Sequence, residues 1–246
     1  YGTFTLAKQA GLDIEFRHVS QVLPDARLYM LPSLKGDSSI SRRQRVALLE
    51  KVRRGAVLYL SFEGALLSQF EEVAGIRVST RERCAGPETV TIAGTHRVQL
   101  QGSFKIDFEP VKAEVLGIDA EGNAAFTCAR YGKGTVFFLN YPVETGLLKV
   151  PGALHKKDAQ PYWAIYREVR NRLKTGKVVD ATDRCVGVTE HVVDANKRVV
   201  VAVNYRPERV KAEFALRPGW RMAKRLHGGP ETLRRATPYK DNLPGY

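Results

Sequence analysis

The chain has 246 residues, of which 43% are hydrophobic and 26% charged, a composition that is ordinary for a globular protein and argues against disorder. No apolar run approaches the roughly 20 residues that a membrane-spanning helix needs, so no membrane segment is predicted. The net charge of +13 is uneven, because residues 1–150 carry 19 Lys and Arg against 16 Asp and Glu, whereas residues 151–246 carry 20 against 10, without the motifs of nucleic-acid-binding domains.

The first elements predict the start of a parallel sheet. A short helix ends at Gly11, and the run DIEFRHV at residues 13–19 is a strand candidate. The apolar run within PDARLYMLPS, at residues 28–31, fits a strand that is covered on both faces. The sequence opens at Tyr1 in helical pattern without an initiator Met, so we expect it to be part of a longer protein.

A well-marked helix and a buried strand follow. Ser41 is a candidate N-cap, Gln44 completes a capping box and Gly55 is placed to end the helix, whose predicted apolar face includes Val46. The run AVLYLS then predicts an interior parallel strand. Residues 64–74 resume a helical pattern that ends at Gly75.

The middle of the chain predicts strands and one amphipathic helix. Residues 76–117 contain short strand pieces, and residues 124–141 predict a hairpin with its turn at residues 131–134. The second strand of this hairpin is apolar enough to rejoin the parallel sheet. Pro161 opens what the pattern predicts to be the longest helix, with one dry face formed by Tyr162, Ile165, Tyr166, Val169 and Leu173.

The periodicity changes after Gly176. Four strand-like runs, CVGVTEHVV, RVVVAVNY, RVKAEFALR and WRMAKRLHG, are separated by turn residues and favour an antiparallel meander, and the last residues, ATPYKDNLPGY, predict a loop. We therefore predict an α/β domain over residues 1–175 and a small antiparallel β domain over residues 176–246.

The turn after AVLYLS is the natural place for a catalytic nucleophile. A nucleophile elbow in the run Ser61, Phe62, Glu63 needs small neighbours, and the residue two before Ser61 is Tyr59, which is not small, so no working Ser or Cys nucleophile is predicted. The histidines have no visible catalytic partner. Cys84, Cys128 and Cys185 are widely spaced and fit plain thiols, which predicts no metal site and a reduced, cytoplasmic setting.

Three residues are candidates for ligand binding. Asp37 and Glu63 follow consecutive predicted strands and so project from the same edge of the sheet, where α/β folds bind ligands. Helix capping or solvent exposure explains both carboxylates as well. Trp163 lies outside the apolar face of its predicted helix and is a candidate for stacking against a sugar ring. The Gly-Lys-Gly run at residues 132–134 lacks the phosphate-loop pattern and predicts a turn, and no cofactor is predicted.

The order of these elements resembles a known family. RRGAVLYLS and YGKGTVFFLN, with AGLDIEFRHV and ARLYMLPS, resemble the flavodoxin-like, class I glutamine-amidotransferase-like domain that follows the catalytic barrel of family 42 β-galactosidases. The run VVVAVNYRPERVKAEFAL resembles the small β domain that closes those enzymes. The resemblance implies an α/β fold with a parallel sheet flanked by helices, plus the small antiparallel β domain.

The resemblance also implies a function. In that family the middle domain has lost the amidotransferase nucleophile and serves in oligomer assembly, as a trimerisation-like domain, while both catalytic glutamates belong to the upstream barrel. We therefore expect a noncatalytic C-terminal portion of a carbohydrate-active enzyme, with an upstream barrel and further copies of itself as partners, which serves in assembly or forms one wall of a substrate cleft.

Two alternatives remain open at this stage. In the first alternative, the chain is an independent amidotransferase-like hydrolase, which requires an activated thiol or hydroxyl. In the other it is an anion- or polysaccharide-binding module that uses the basic C-terminal half.

Overall fold

A computed structural model describes residues 1–36, 40–65, 68–156, 158–173, 176–222, 226 and 239–243. These residues are mostly β, with few helices. The helices are α1 (Gly2–Gln9), α2 (Arg42–Arg53), α3 (Phe70–Val73), α4 (Val143–Leu147) and α5 (Trp163–Asn171). The strands are β1 (Leu28–Leu34), β2 (Val57–Phe62), β3 (Ile76–Arg83), β4 (Glu88–Ile92), β5 (His96–Leu100), β6 (Phe104–Pro110), β7 (Ala113–Ile118), β8 (Ala124–Tyr131), β9 (Gly134–Leu139), β10 (Val179–Ala181), β11 (Val186–Val192), β12 (Arg198–Asn204), β13 (Val210–Leu216) and β14 (Tyr239–Leu243).

The largest sheet is mixed and has seven strands in the order β1-β2-β9-β8-β7-β4-β5. Strands β1, β2 and β9 are parallel, as predicted, and β9 does rejoin them after the hairpin. The other pairs in the sheet are antiparallel, because short connections such as the turn between β8 and β9 reverse the chain direction. The prediction of a parallel sheet is therefore correct for three strands only, and a flavodoxin-like fold is not confirmed.

Helices cover the parallel strands on both faces. All six residues of β2 are buried, and its side chains alternate between the faces. Tyr59 belongs to a first hydrophobic cluster with α1 and α5, whereas Leu58 and Leu60 belong to a second cluster with α2 and α3. Neighbouring strand β9 divides in the same way, with Phe137 in the first cluster and Phe138 in the second. The helix layers predicted beside the parallel strands are present.

Helix α2 begins as its sequence predicts. The Ser41 hydroxyl accepts a hydrogen bond from the Gln44 backbone N–H at 3.3 Å, and the Gln44 side chain accepts one from the Ser41 N–H at 3.2 Å, which forms the capping box. Gly55 follows the helix with φ of 132°. Leu48, Leu49 and Val52 are buried, but Val46, predicted on the same face, is exposed.

Several predicted elements are wrong. Residues 13–19 form no strand, because their backbone follows an irregular path beside β1 without a ladder partner among the described residues. The helix predicted over residues 64–74 is reduced to α3, which starts after Gln69 in a left-handed conformation, and Leu66 and Leu67 lie outside the described residues. Helix α5 has 9 residues against 12 in α2, so it is not the longest.

The C-terminal part is antiparallel, as predicted, but its strands divide into two small sheets. Strands β10, β13 and β14 form one, and β11 and β12 form the other. Residues 220–222 of the fourth predicted strand are irregular, and β14 instead lies in the tail that was predicted as a loop. A third hydrophobic cluster is formed by side chains within residues 178–222. The predicted domain boundary between residues 175 and 176 stays a prediction.

Strands β3 and β6 pair with each other in a separate antiparallel ribbon. No helix in the described part of the chain is both long and apolar enough to cross a membrane. The predicted cytoplasmic location is not tested by these observations and stays a prediction.

Candidate functional site

A buried carboxylate lies at the edge where the parallel strands end. Glu144 is in the first turn of α4, shortly after β9, and is only 4% exposed. Its Oε1 accepts hydrogen bonds from the hydroxyls of Tyr59 and Tyr166, both at 2.8 Å. Two phenols, one from β2 and one from α5, therefore meet on one oxygen, and their rings are in edge-on contact with centroids 5.1 Å apart.

Two serines bind the other oxygen of the same carboxylate. Glu144 Oε2 accepts a hydrogen bond from Ser61 Oγ at 2.5 Å and another from Ser33 Oγ at 2.8 Å. Backbone groups fix both hydroxyls, since the Ser33 N–H donates to Ser61 Oγ at 2.5 Å and the Thr145 N–H donates to Ser33 Oγ at 3.2 Å. We call the five residues Ser33, Tyr59, Ser61, Glu144 and Tyr166 the Glu144 cage.

The local fold explains how the cage forms. Tyr59 and Ser61 are two residues apart on β2 and so point to the same face of the sheet. The register of β1 against β2 shifts between Leu31 and Leu34, and Ser33 lies in this irregularity with φ of 48°. The shift turns the Ser33 hydroxyl toward Glu144. A buried strand, a bulged neighbour and the start of α4 thus supply the cage from separate parts of the chain.

Hydroxyl groups alone stabilise the Glu144 charge within the described residues, since none of the ion pairs found there involves this carboxylate. Burial disfavours an anion, whereas hydrogen bonds donated to it favour it. Burial, followed by the negative charge of Glu144, raises the pKa of Tyr59 well above its ordinary value. The pKa of Tyr166 is raised well above its ordinary value by the same two causes. Both phenols therefore keep the protons that they donate.

The predicted ligand residues have different surroundings. Glu63 lies next to the cage, where its Oε2 accepts a hydrogen bond from Thr145 Oγ1 at 3.1 Å, and it is partly exposed. Asp37, the carboxylate predicted to share this edge, lies outside the described residues. The pairing of Asp37 with Glu63 as a ligand site therefore stays a prediction.

Trp163 is at the start of α5 and is partly buried rather than freely exposed. Its ring contacts the His96 ring edge-on, with centroids 5.1 Å apart. The guanidinium carbon of Arg184 lies 5.0 Å from the ring centroid and that of Arg167 lies 5.8 Å from it. Sugar stacking on Trp163 stays a prediction, and the ring has cationic neighbours that the sequence did not indicate.

The described geometry does not support an activated nucleophile. Ser61 is 0% exposed, and its hydroxyl donates to a carboxylate rather than to an imidazole. Burial raises the pKa of all three thiols, to about 11 for Cys128. A raised pKa lowers the thiolate fraction and hence the reactivity. In the part of the chain that the structure describes, no group of three or more His, Cys, Asp or Glu side chains is placed to hold a metal ion.

The sequence reasoning missed most of the cage. The sequence did contain one indication of the cage. Tyr59 and Ser61 are hydroxyl-bearing residues two positions apart in the apolar run AVLYLS, and a hydroxyl in a fully buried strand requires a hydrogen-bond partner. Tyr166 was assigned to the dry face of its helix, where it does lie. Glu144 carried no signal, since a single acidic residue in a loop sequence is ordinarily exposed.

Solved structures share the fold of the whole chain. A catalytic mutant of Gan42B, a GH42 β-galactosidase from G. stearothermophilus, matches 100% of this chain with 34% of its own, at 15% identity and a TM-score of 0.65. The β-galactosidase from Bacillus circulans sp. alkalophilus matches 99% of this chain with 35% of its own, at 12% identity and a TM-score of 0.60. The α-L-fucosidase isoenzyme 2 from Paenibacillus thiaminolyticus matches 99% of this chain with 43% of its own, at 12% identity and a TM-score of 0.60.

The chain therefore spans about a third of the length of the solved β-galactosidases that it matches. No protein-family model matches the sequence, and no curated protein matches it. At identities of 12 to 15% the likeness is one of fold. It extends over the mixed sheet and the small antiparallel sheets together, and each matched protein is a glycoside hydrolase of which only a part is matched.

Proposed function

We propose that this chain is the noncatalytic part of a glycoside hydrolase, which supports assembly of the enzyme or forms one wall of its substrate cleft. One observation carries the proposal: the whole chain matches about a third of a GH42 β-galactosidase. The noncatalytic role is supported by the Glu144 cage, which occupies the edge of the sheet where an active site would be expected and satisfies its own groups internally.

In this proposal the cage is structural. A carboxylate with two hydroxyl donors on each oxygen has little capacity left for a substrate or a transferred proton, and Ser61 is inaccessible. The four donors come from β1, β2 and α5 and meet on α4, so the carboxylate ties these four elements together. The amidotransferase-like alternative requires an exposed, activated nucleophile, and Ser61 is neither exposed nor activated.

An exposed apolar segment supports contact with further protein. Phe16 and Val22, in the irregular segment before β1, are 61% and 92% exposed, and Val19 between them is also exposed. Clustered exposed apolar side chains mark interaction surfaces more often than isolated ones. We propose that the upstream catalytic barrel of the same enzyme, or a second copy of the chain, covers this segment.

An activity measurement tests the noncatalytic role. The 246-residue chain is incubated with 4-nitrophenyl β-galactoside, and we expect no release of nitrophenol above the buffer rate, because in this proposal the catalytic groups belong to another part of the enzyme. Robust hydrolysis that is lost in the Glu63→Gln variant and kept in a Glu121→Gln variant, which changes an exposed loop residue, would overturn the proposal.

The gene provides an independent test of the enzyme class. We expect the reading frame that encodes this chain also to encode a (β/α)₈ barrel with two catalytic glutamates. A complete reading frame that encodes only these residues would contradict the assignment to a glycoside hydrolase, whatever the activity assay shows.

A further inference from the structure

A group of arginines surrounds one face of α5 at its junction with the C-terminal sheets. Arg170 donates a hydrogen bond to Asp180 at 2.7 Å, and Arg167 and Arg184 approach the same carboxylate less closely, at 3.7 and 4.0 Å. The neighbouring Asp183 is paired with Arg206 at 3.3 Å. Four guanidinium groups thus share these two carboxylates, and Glu208 is a further acidic neighbour of Arg206, so positive charge is in excess in this cluster.

Arg167 and Arg184 both have unused hydrogen-bonding capacity, as does the Nε atom of Arg206, which is buried without a partner among the described residues. Their contacts with Asp180 are longer than hydrogen bonds, and no hydrogen bond from either guanidinium is present among the described residues. Each side chain is about a quarter exposed, at 26% for Arg167 and 23% for Arg184, so both are accessible to solvent. A planar guanidinium offers a fork of N–H donors that matches an oxyanion in two-point geometry.

Trp163 holds the two guanidiniums together. Its ring centroid is 5.8 Å from the guanidinium carbon of Arg167 and 5.0 Å from that of Arg184, within the range of cation–π attraction. Burial lowers the pKa of Arg184, and the positive charge of Arg167 is the second largest cause of this lowering. The two cations therefore repel each other where they are partly desolvated. Asp180 and Asp183 offset part of this repulsion, and a further anion bound by both guanidiniums would offset more of it.

We propose that Arg167 and Arg184, oriented by Trp163, bind one oxyanion group, such as a carboxylate or a phosphate, of a small ligand. Trp163 is a positioning residue in this site. The site shares no residue with the Glu144 cage and is independent of the noncatalytic role proposed above. A small ligand fits better than a nucleic acid, because the excess charge is confined to one cluster rather than extended along a strand or helix as a phosphate backbone requires.

Calorimetric titration at constant ionic strength tests the site with three probes: inorganic phosphate, glucuronate and neutral glucose. We expect saturable binding of at least one anion and none of glucose. Binding of both anions assigns the site to oxyanions in general, whereas binding of glucuronate alone assigns it to an acidic sugar. Absence of saturable binding by either anion would overturn the proposal.

Variants separate a built site from general electrostatic attraction. We expect Arg184→Gln to weaken anion binding about tenfold, and Arg184→Lys, which keeps the charge but not the fork, to weaken it less. Arg81→Gln is the matched control, because Arg81 also lies over an aromatic ring, that of Phe104, at 4.3 Å outside the cluster. Equal losses in Arg184→Gln and Arg81→Gln would contradict the proposal.

Trp163→Phe tests the positioning role. The smaller ring keeps an apolar contact with the first cluster but weakens the cation–π attraction, so we expect a two- to fivefold loss of anion affinity with retained far-UV circular dichroism. Unchanged affinity in Trp163→Phe, together with a tenfold loss in Arg184→Gln, would remove Trp163 from the site and overturn its positioning role.

Discussion

At the scale of single residues, the Glu144 cage places four hydroxyl donors around one buried carboxylate that has no ion-pair partner among the described residues. Hydrogen bonds to an ionised group are stronger than neutral ones, and four of them converge here. Each serine donor has a fixed position, because Ser61 and Ser33 are themselves held by backbone N–H groups. The cage is therefore an ordered polar network inside an apolar cluster, and its members depend on one another.

Replacing Glu144 by Gln should destabilise the protein. The amide has one acceptor oxygen instead of two and no charge, so all four hydroxyls lose a charged acceptor and two of them meet an NH₂ donor. We expect the free energy of unfolding to fall by about 2 to 4 kcal/mol, measured by urea denaturation followed by circular dichroism.

Glu121→Gln is the control for Glu144→Gln, since Glu121 is exposed and its removal should change the free energy of unfolding by no more than about 0.5 kcal/mol. A Glu144→Gln variant as stable as the wild type would show that the carboxylate contributes no more than a neutral acceptor. The structural role of the cage would then be wrong.

At the scale of elements, the Gly-Lys-Gly turn between β8 and β9 shows why a sequence motif can have a packing cause. The Lys133 N–H donates a hydrogen bond to the Arg53 carbonyl at the end of α2, at 2.9 Å. Gly132 has φ of 59°, and a Cβ on it would lie 2.6 Å from the same carbonyl oxygen. The turn packs directly against the C-terminus of α2. The glycines therefore allow the two backbones to approach closely, which explains the motif without phosphate binding.

Replacing Gly134 by Ala tests this close approach. A Cβ there would lie 2.0 Å from the Val52 carbonyl oxygen and 2.3 Å from that of Ala56, both backbone atoms that cannot move independently. We expect a loss of about 3 kcal/mol in the free energy of unfolding, measured by urea denaturation. Gly86→Ala is the control, because a Cβ at Gly86 would have nothing within 4 Å of it. A similar stability for both variants would contradict the packing argument.

Local signals predicted the elements that local chemistry determines. The capping box at Ser41, the buried strand β2 and the β8–β9 hairpin were all predicted, because caps, apolar runs and turns act over a few residues. The failures depend on distant partners. The apolar pattern at residues 13–19 fits a strand, but no neighbouring strand pairs with it among the described residues. The Glu144 cage was missed for the same reason, because its members meet only after the sheet and α5 have assembled.

At the scale of the whole molecule, the buried hydrophobic side chains of the described residues form three clusters of unequal size. The first and second clusters contain large aromatic residues on both faces of the seven-stranded sheet, whereas the third consists of small aliphatic residues with Phe214. Polar contacts connect the region of the third cluster to α5 and to the segment that follows α1. Arg170 of α5 pairs with Asp180 at 2.7 Å, and Asp13, after α1, pairs with Lys177 at 3.0 Å.

The Asp13 contacts make one of these connections sensitive to acid. Burial raises the pKa of Asp13, but hydrogen bonds from Lys8 and Lys177 outweigh it and lower the pKa below the ordinary value. A lowered pKa in the folded state contributes stability above the ordinary aspartate value, and this contribution is lost as the pH falls. Because the Asp13 side chain is 43% exposed, solvent screening keeps the contribution below about 1 kcal/mol. An ion pair as exposed as that of Asp13 with Lys177 therefore adds little to the stability of the connection between the C-terminal sheets and the rest of the protein.

We therefore expect the C-terminal sheets to unfold before the seven-stranded sheet. The two tryptophans allow each part to be followed, because Trp163 packs against the first cluster and Trp220 against the third. In urea, the fluorescence midpoint of Trp163→Phe, which retains Trp220, should lie below that of Trp220→Phe, since less apolar surface is buried in the third cluster. Far-UV circular dichroism of the wild type should show the same early phase. Coincident midpoints in both variants would mean that residues 1–175 and 176–246 unfold as one cooperative unit, and the predicted division into two domains would then be wrong.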